Sequence, residues 1–138
     1  MREILKSNSR GDFKFPRQQR LKSKKVIERL FAKGKSVNAY PLKLICLKTP
    51  LLESVPFQVA VIAPKKRFKS AVKRNRIKRL LREAWRLNRP LFFNNMKGQY
   101  ALVFLYLGDE MPSYGQIEGG MKAVLTKFKK QISYEEAE

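Results

Sequence analysis

KKRFKSAVKRNRIKRLLREAWRLNR, residues 65–89, carries twelve Lys or Arg against a single acid, Glu83. Its second half is periodic. Wound at about 100° per residue, Ile77, Leu80, Leu81, Ala84 and Leu87 fall in one arc. Asn75, Arg79, Arg82, Arg86 and Arg89 fall in a narrow stripe on the opposite side. The spacing predicts a helix with one face to bury and another that meets negative charge. Ser70 is placed to cap its N-terminus. Pro90 is expected to end it, because a proline pushes the preceding residue out of helical geometry.

A basic helix face is usually a solvated surface, and then acids at i,i+4 spacing balance the cations. Unbalanced like charges repel by a few tenths of a kcal/mol per pair. Here Glu83 stands alone among eight cations after Ala71, an imbalance better met by a polyanion than by water. Arg outnumbers Lys in the stripe, and its planar donor fork matches phosphate oxygens and base edges.

The rest of the composition agrees. A chain of 138 residues with 43% apolar side chains is long enough for one domain with a hydrophobic core. Its formal net charge of +20 points to a nucleic acid or an anionic surface as partner. No apolar run approaches the roughly 20 residues of a membrane span. The first residues, MREILKSNSRGDF, lack the apolar centre of a secretory signal. Cys46 is the single cysteine, so no internal disulfide is expected, and a reducing, cytoplasmic setting is. The absence of histidine removes the commonest general base and metal ligand. No cysteine cluster, carboxylate pair, phosphate-cradling glycine loop or nucleophile elbow is present. Catalysis by the protein's own groups is not expected.

Read in order, residues 1–14 form a loose basic arm, with Phe13, Phe15 and Pro16 anchoring its end. FPRQQRL at 15–21 is extended and sends Leu21 inward. A first helix runs from about Ser23, its cap, to Lys33, with Gly34 as a left-handed stop. Its apolar stripe is Val26, Ile27, Leu30 and Phe31. LKLICLK at 42–48 is a strand with Leu42, Leu44 and Cys46 on one side and Lys43, Ile45 and Leu47 on the other. Both sides are mostly apolar, so either both are covered or one lines a ligand groove. Cys46 is expected as a small buried hydrophobe. A loop over Thr49–Pro56 leads to a central strand over Phe57–Ala63, ended by Pro64. After the basic helix, Asn94, Asn95 and Gly98 favour turns. YALVFLYL at 100–107 is a third strand. Ser113 and Gln116 form a capping box for a last helix over Tyr114–Ile132, weakened by Gly119 and Gly120. Residues 133–138 are left as an acidic tail. This order predicts an α+β domain over 15–132: a small sheet with helices, in which the strands flanking the basic helix are parallel.

AVKRNRIKRLLREAWR at 71–86 closely resembles the signature of the protein subunit of bacterial ribonuclease P. The matching positions are Ala71, Val72, Arg74, Asn75, Arg76, Lys78, Arg79, Arg82, Glu83, Trp85 and Arg86. Lys65 and Lys66 match a lysine pair after the central strand, and FPRQQRL and the Phe31–Gly34 helix end match the family's opening. The resemblance covers about residues 15–130. It implies a small mixed sheet of the ribosomal-protein-S5-domain-2-like kind with a left-handed βαβ crossover, against the usual right-handed preference. It also implies a protein that joins a large catalytic RNA and assists removal of the 5′ leader from precursor tRNA. Catalytic groups and Mg2+ then belong mainly to the RNA, and no obligate protein partner is implied.

By the same resemblance, the catalytic RNA is contacted by Arg74, Asn75, Arg76, Lys78, Arg79, Arg82 and Arg86. The leader lies in a cleft between the first helix and the sheet, lined by Ile27, Phe31, Lys43, Ile45, Ile62, Lys65 and Lys66. The family often has an aromatic where this chain has Ile27, a tyrosine near Ile45, and small hydroxyl residues near Ile62 and Pro64. Base stacking on an aromatic is worth about 1–3 kcal/mol. Without those platforms the cleft is left with apolar contact plus Lys43, Lys65 and Lys66. The competing readings are a general RNA-binding or ribosome-associated module, a sequence-specific DNA binder and a self-sufficient basic nuclease. The first explains the charge but not the full signature.

Overall fold

Three expected strands and one unexpected one form a single mixed sheet. They are β1 (Lys35–Ala39), β2 (Leu42–Lys48), β3 (Phe57–Ile62) and β4 (Tyr100–Tyr106), in spatial order β1-β2-β4-β3. Three helices pack on it: α1 (Lys24–Lys33), α2 (Ala71–Phe92) and α3 (Tyr114–Ala137). The computed structural model describes residues 17–93 and 98–137, with side chains as far as Ile132. The basic arm over 1–14, the anchors Phe13, Phe15 and Pro16, the turn residues Asn94 and Asn95, and the acidic side chains of 133–138 lie outside the described residues.

β4 is central because it is apolar on both faces. It pairs antiparallel with β2 and parallel with β3, so α2 is the crossover between two parallel strands, as expected. Leu42, Leu44, Cys46, Phe57, Val59, Val61, Leu102 and Phe104 build the main core with α2 and α3. The alternate positions Ile45, Ala101 and Val103 build a second, smaller cluster with Leu21 and Leu30 under α1. The domain is therefore three-layered, with α1 alone on its face. The Leu42, Leu44 and Cys46 side of β2 is buried, while its other side is covered at Ile45 and only partly at Lys43 and Leu47.

β1 escapes the pattern reading because KSVNA turns only Val37 and Ala39 toward the core. It is a short, polar edge strand with little hydrophobic signal. β3, expected as a central strand, instead lies at the opposite edge, where residues 17–19 make a 3-10 turn rather than the extended segment expected. Arg20 then bridges Val59, and the Leu21 amide donates to the Val59 carbonyl at 2.9 Å, so this segment covers the free side of β3.

The caps at Ser23 and Ser70 form as expected, each hydroxyl accepting a backbone N–H at 3.3 Å. The Ser113–Gln116 box closes reciprocally at 3.0 and 3.2 Å. Gly34 is a correction. It does follow α1, but with φ −70° and ψ 155°, not in a left-handed conformation. Glycine is needed there for space: a Cβ would sit 2.3 Å from the Leu30 carbonyl oxygen and 2.8 Å from Ile45 Cγ2. Gly120 similarly lets α3 approach β2, since a Cβ would lie 3.0 Å from Leu42 Cγ.

Two further corrections concern α2. Its fully buried residues are Ile77, Leu81, Ala84, Trp85 and Asn88, while Leu80 and Leu87 are only partly buried. The buried arc is thus rotated toward Trp85, whose ring fills the space between Phe57 at 5.3 Å and Phe104 at 5.6 Å. Asn88 tolerates burial because its side-chain amide donates to the Ala84 carbonyl at 2.8 Å. Nor does the helix stop at Pro90; it continues to Phe92. Proline removes one N–H near the end, but the Phe93 amide still closes the last turn on the Arg89 carbonyl at 2.9 Å, and the Phe93 ring packs 5.1 Å from Phe57. Finally, α3 runs beyond Ile132 to Ala137, into the segment read as a tail.

Leu81→Ala is expected to cost about 2–5 kcal/mol through a core cavity. Leu80→Ala should cost clearly less, because its side chain already meets solvent. Urea denaturation of the two variants side by side checks the rotation of the buried arc; equal losses would contradict it.

Candidate nucleic-acid interface

With Trp85 and Leu81 turned inward, the opposite side of α2 faces solvent. Asn75, Arg76, Arg79 and Arg82 are exposed, and Lys78 is partly so. Val72 is 78% exposed in the first turn among these polar groups, an apolar spot on the cationic face. The other two members of the predicted set have intramolecular partners. One nitrogen of Arg74 donates to the carbonyls of Phe68 and Lys69 at 2.7 and 2.9 Å, holding the segment that enters the helix. The Arg67 and Phe68 amides both close on the Pro64 carbonyl at 3.2 Å, so the whole approach to α2 is a fixed turn. Arg86 is half-buried and grips both oxygens of Glu83. This pair lies beside the start of α3: burial, together with Glu118 and Glu83, raises the Tyr114 hydroxyl above its ordinary value, and Arg86 opposes that shift. The only acid in the cationic stretch is thus occupied by one of its own cations.

Burial pulls the Arg82 guanidinium below its ordinary value, and nearby Arg20 pulls it further. Burial alone does the same to Arg89. Both remain cations at neutral pH, given how high arginine normally titrates. Two guanidinium groups from distant parts of the chain therefore share one edge of the domain.

Of the second predicted set, Ile27, Lys43, Ile45 and Ile62 come together on the α1 face of the sheet. Strand register puts Lys43, Leu105 and Ile62 in one row across β2, β4 and β3, and Ile45, Val103 and Ala60 in the next. α1 seals the second row, burying Leu30 completely and Ile45 to 8% exposure. It leaves the first row half-covered. Ile27, Ile45 and Ile62 belong to one apolar cluster, and Lys43 borders it. Ile45 supports the floor from beneath α1, while Ile62 and Leu105 form the open part. Phe31 stands 48% exposed on α1, outside that cluster. Lys65 and Lys66 are exposed in the turn after β3. Leu105 and Ala60 are groove residues that the sequence reading did not single out; their signal was their alternation with the core-facing residues of β4 and β3.

Among the described residues, no helix is long and apolar enough to cross a membrane. The α+β domain thus carries a cationic helix face on one side and a half-open apolar groove bordered by Lys43 on the other. The ribonuclease P family model matches residues 15–129. A ribonuclease P protein component of Porphyromonas gingivalis is 34% identical over 123 residues, covering 87% of this chain and 90% of that relative. The solved Staphylococcus aureus RNase P protein superposes with a TM-score of 0.65 at 22% identity, covering 80% of this chain and 95% of that one. A Staphylococcus aureus RNase P protein mutant with defective mRNA degradation activity gives 0.62 at 19%, covering 91% and 96%. The chain belongs to the ribonuclease P protein family, and membership implies an RNA partner.

Arg74 and Arg79 should separate on mutation. Arg79→Ala is expected to leave the melting temperature unchanged, because its side chain is exposed and Ala favours helix. Arg74→Ala should lower stability by about 1 kcal/mol through loss of its two carbonyl contacts. Thermal melts decide this; equal stability of the two variants would show that the Arg74 contacts contribute nothing.

Proposed function

We propose that this chain is the protein component of a ribonuclease P holoenzyme. It binds the catalytic RNA with the exposed face of α2 and holds the 5′ leader of precursor tRNA against the groove between α1 and the sheet. It thereby assists endonucleolytic removal of the leader. The observation that carries this reading is the orientation of α2: its apolar arc is spent on the core, its one acid is engaged by Arg86, and Asn75, Arg76, Arg79 and Arg82 are left outward. Arg forks suit phosphate and base edges.

In the groove, Ile62, Leu105 and Ile27 offer apolar contact, Phe31 offers one exposed ring for a base, and Lys43, Lys65 and Lys66 meet phosphates. With Phe31 as the single aromatic of the set, discrimination among leader bases rests more on shape and charge than on stacking. The hydrolysis needs Mg2+. Among the described residues, no group of three or more Cys, Asp or Glu is placed to hold a metal. Following the family resemblance, we assign the metal to the RNA. What the protein supplies is positioning: it fixes the leader relative to the RNA and neutralises phosphate charge where the two RNAs meet.

The test is reconstitution with a bacterial ribonuclease P RNA. Added protein should stimulate precursor cleavage at low Mg2+. Its RNA affinity should fall steeply with salt, with a log–log slope of roughly −4 to −5 if six phosphates are neutralised. Arg79→Ala with Arg82→Ala should melt like the parent yet lose about 1–3 kcal/mol of RNA affinity per residue. Unchanged affinity in that variant would refute the assignment of the α2 face. RNA-free protein, assayed in parallel on precursor tRNA and on an unstructured mRNA, should cut neither; magnesium-dependent cutting abolished by one protein substitution would assign catalysis to the protein.

A further inference from the structure

On the flank of α1 opposite Ile27 and Phe31 lies a cavity of about 700 Å3, formed by the 3-10 turn, the first turns of α1 and the loop before β3. It is lined by Arg17, Arg20, Lys22, Lys25 and Arg29, against one acid, Glu53. None of these cations belongs to the α2 stripe or to the groove described above. We propose that this cavity is a further RNA-binding site, which takes a phosphodiester and its attached nucleoside from the catalytic RNA. The proposal rests on the function argued above and extends it to a surface which that reading leaves unused.

Several observations support it. The scaffold is built rather than incidental: Arg29 donates to the buried Thr49 hydroxyl at 2.9 Å, and Gln58 donates to the Gln18 carbonyl at 2.8 Å, so the walls from α1, the 3-10 turn and β3 are tied together. The first turn of α1 carries no acid, so its positive dipole end adds to the field of the cations. Val26, Pro50 and Leu52 add apolar wall, with Leu52 96% exposed at its rim. The volume lies within the range of small-ligand sites, about 300–1,000 Å3, and admits a nucleotide.

Two features favour the catalytic RNA over the precursor. Arg20, in the cavity wall, is close enough to Arg82 to depress its titration, so the cavity continues the cationic surface of α2 around the β3 edge. α1 stands as a ridge between the cavity and the groove: Lys25 and Arg29 line the cavity, while Ile27, turned well away from them on the helix, joins the apolar cluster under the groove. A single RNA segment crossing α2 reaches the cavity without crossing that ridge.

The experiment compares the full-length parent, the pair Arg17→Ala with Lys25→Ala, and the charge-conserving pair Arg17→Lys with Lys25→Arg. Both exposed positions should leave the melting temperature unchanged. The alanine pair should bind the catalytic RNA at least 5-fold more weakly, with a salt slope less negative by roughly 1.5, the share of two phosphates. The charge-conserving pair should bind like the parent, and discrimination between precursor and mature tRNA by the assembled holoenzyme should not change. Parental affinity and slope in the alanine pair, beside a weakened Arg79→Ala, Arg82→Ala control, would overturn the cavity site alone. Lost discrimination with intact RNA affinity would place the substrate there instead and overturn the assignment to the catalytic RNA. A charge-conserving pair as weak as the alanine pair would show that phosphate charge is not what the cavity reads. If the α2 control also binds normally, the parent reading fails as well.

Discussion

The edge-to-face contact of Trp85 with Phe57, at 5.3 Å and 84°, sets the rotation of α2, and the rotation of α2 decides which of its side chains meet solvent. Phe57 also meets Phe93 at 5.1 Å and Phe128 at 6.5 Å, so one ring at the start of β3 joins the middle of α2, its end and α3. Such aromatic pairs add about 0.5–1.5 kcal/mol each beyond the area they bury. More important than the energy is the geometry: a 22-residue helix pinned at Ile77, Leu81 and Trp85 cannot roll. Asn75, Arg79 and Arg82 then point outward whatever their mutual repulsion.

That repulsion is a real burden. Like charges one turn apart cost a few tenths of a kcal/mol per pair, and the partial desolvation of the otherwise exposed Arg82 beside Arg20 adds to the cost of a cation–cation approach. The helix bears this because its stability comes from the core, from the Ser70 cap and from the internal ties at Arg74 and Arg86. Apolar packing thus holds cations together in advance of any partner. Under the proposed reading, a polyanion that binds there relieves a field that the fold has already established.

How much of this the sequence discloses depends on whether a feature is periodic or tertiary. The three apolar strands, the cationic helix and the caps at Ser23, Ser70 and Ser113 are periodic or local, and all were legible. β1 was not, because an edge strand with Val37 and Ala39 as its inward residues carries almost no pattern. The true inward arc of α2 was displaced because hydropathy ranks Leu80 and Leu87 above Trp85 and Asn88, while the cavity beside Phe57 and Phe104 fits an indole. Gly34 reads as a left-handed stop only if the neighbouring Ile45 is unknown. In the site, spacing alone gave Asn75, Arg79 and Arg82 as outward, whereas Arg86 and Arg89 of the same stripe are partly buried. That Arg74 and Arg86 are tied to Phe68, Lys69 and Glu83, and that Ile45 lies beneath α1, depended on contacts no window of sequence contains.

The two sides of the sheet are unequal, and this inequality separates what is rigid from what can vary. The face under α2 and α3 is a continuous core in which Leu42, Leu44, Leu102 and Phe104 are fully buried, so a change of shape there is felt through the whole packing. The face under α1 is sealed only around Leu30, Ile45, Ala101 and Val103, and its outer row of Lys43, Leu105 and Ile62 remains half-open. A side chain at Ile27 or Ile62 can change size or gain an aromatic ring with little strain, because one side of it meets solvent. Under the proposed reading, the helix that meets the catalytic RNA is locked to the core and resists change, whereas the groove that meets the leader is adjustable.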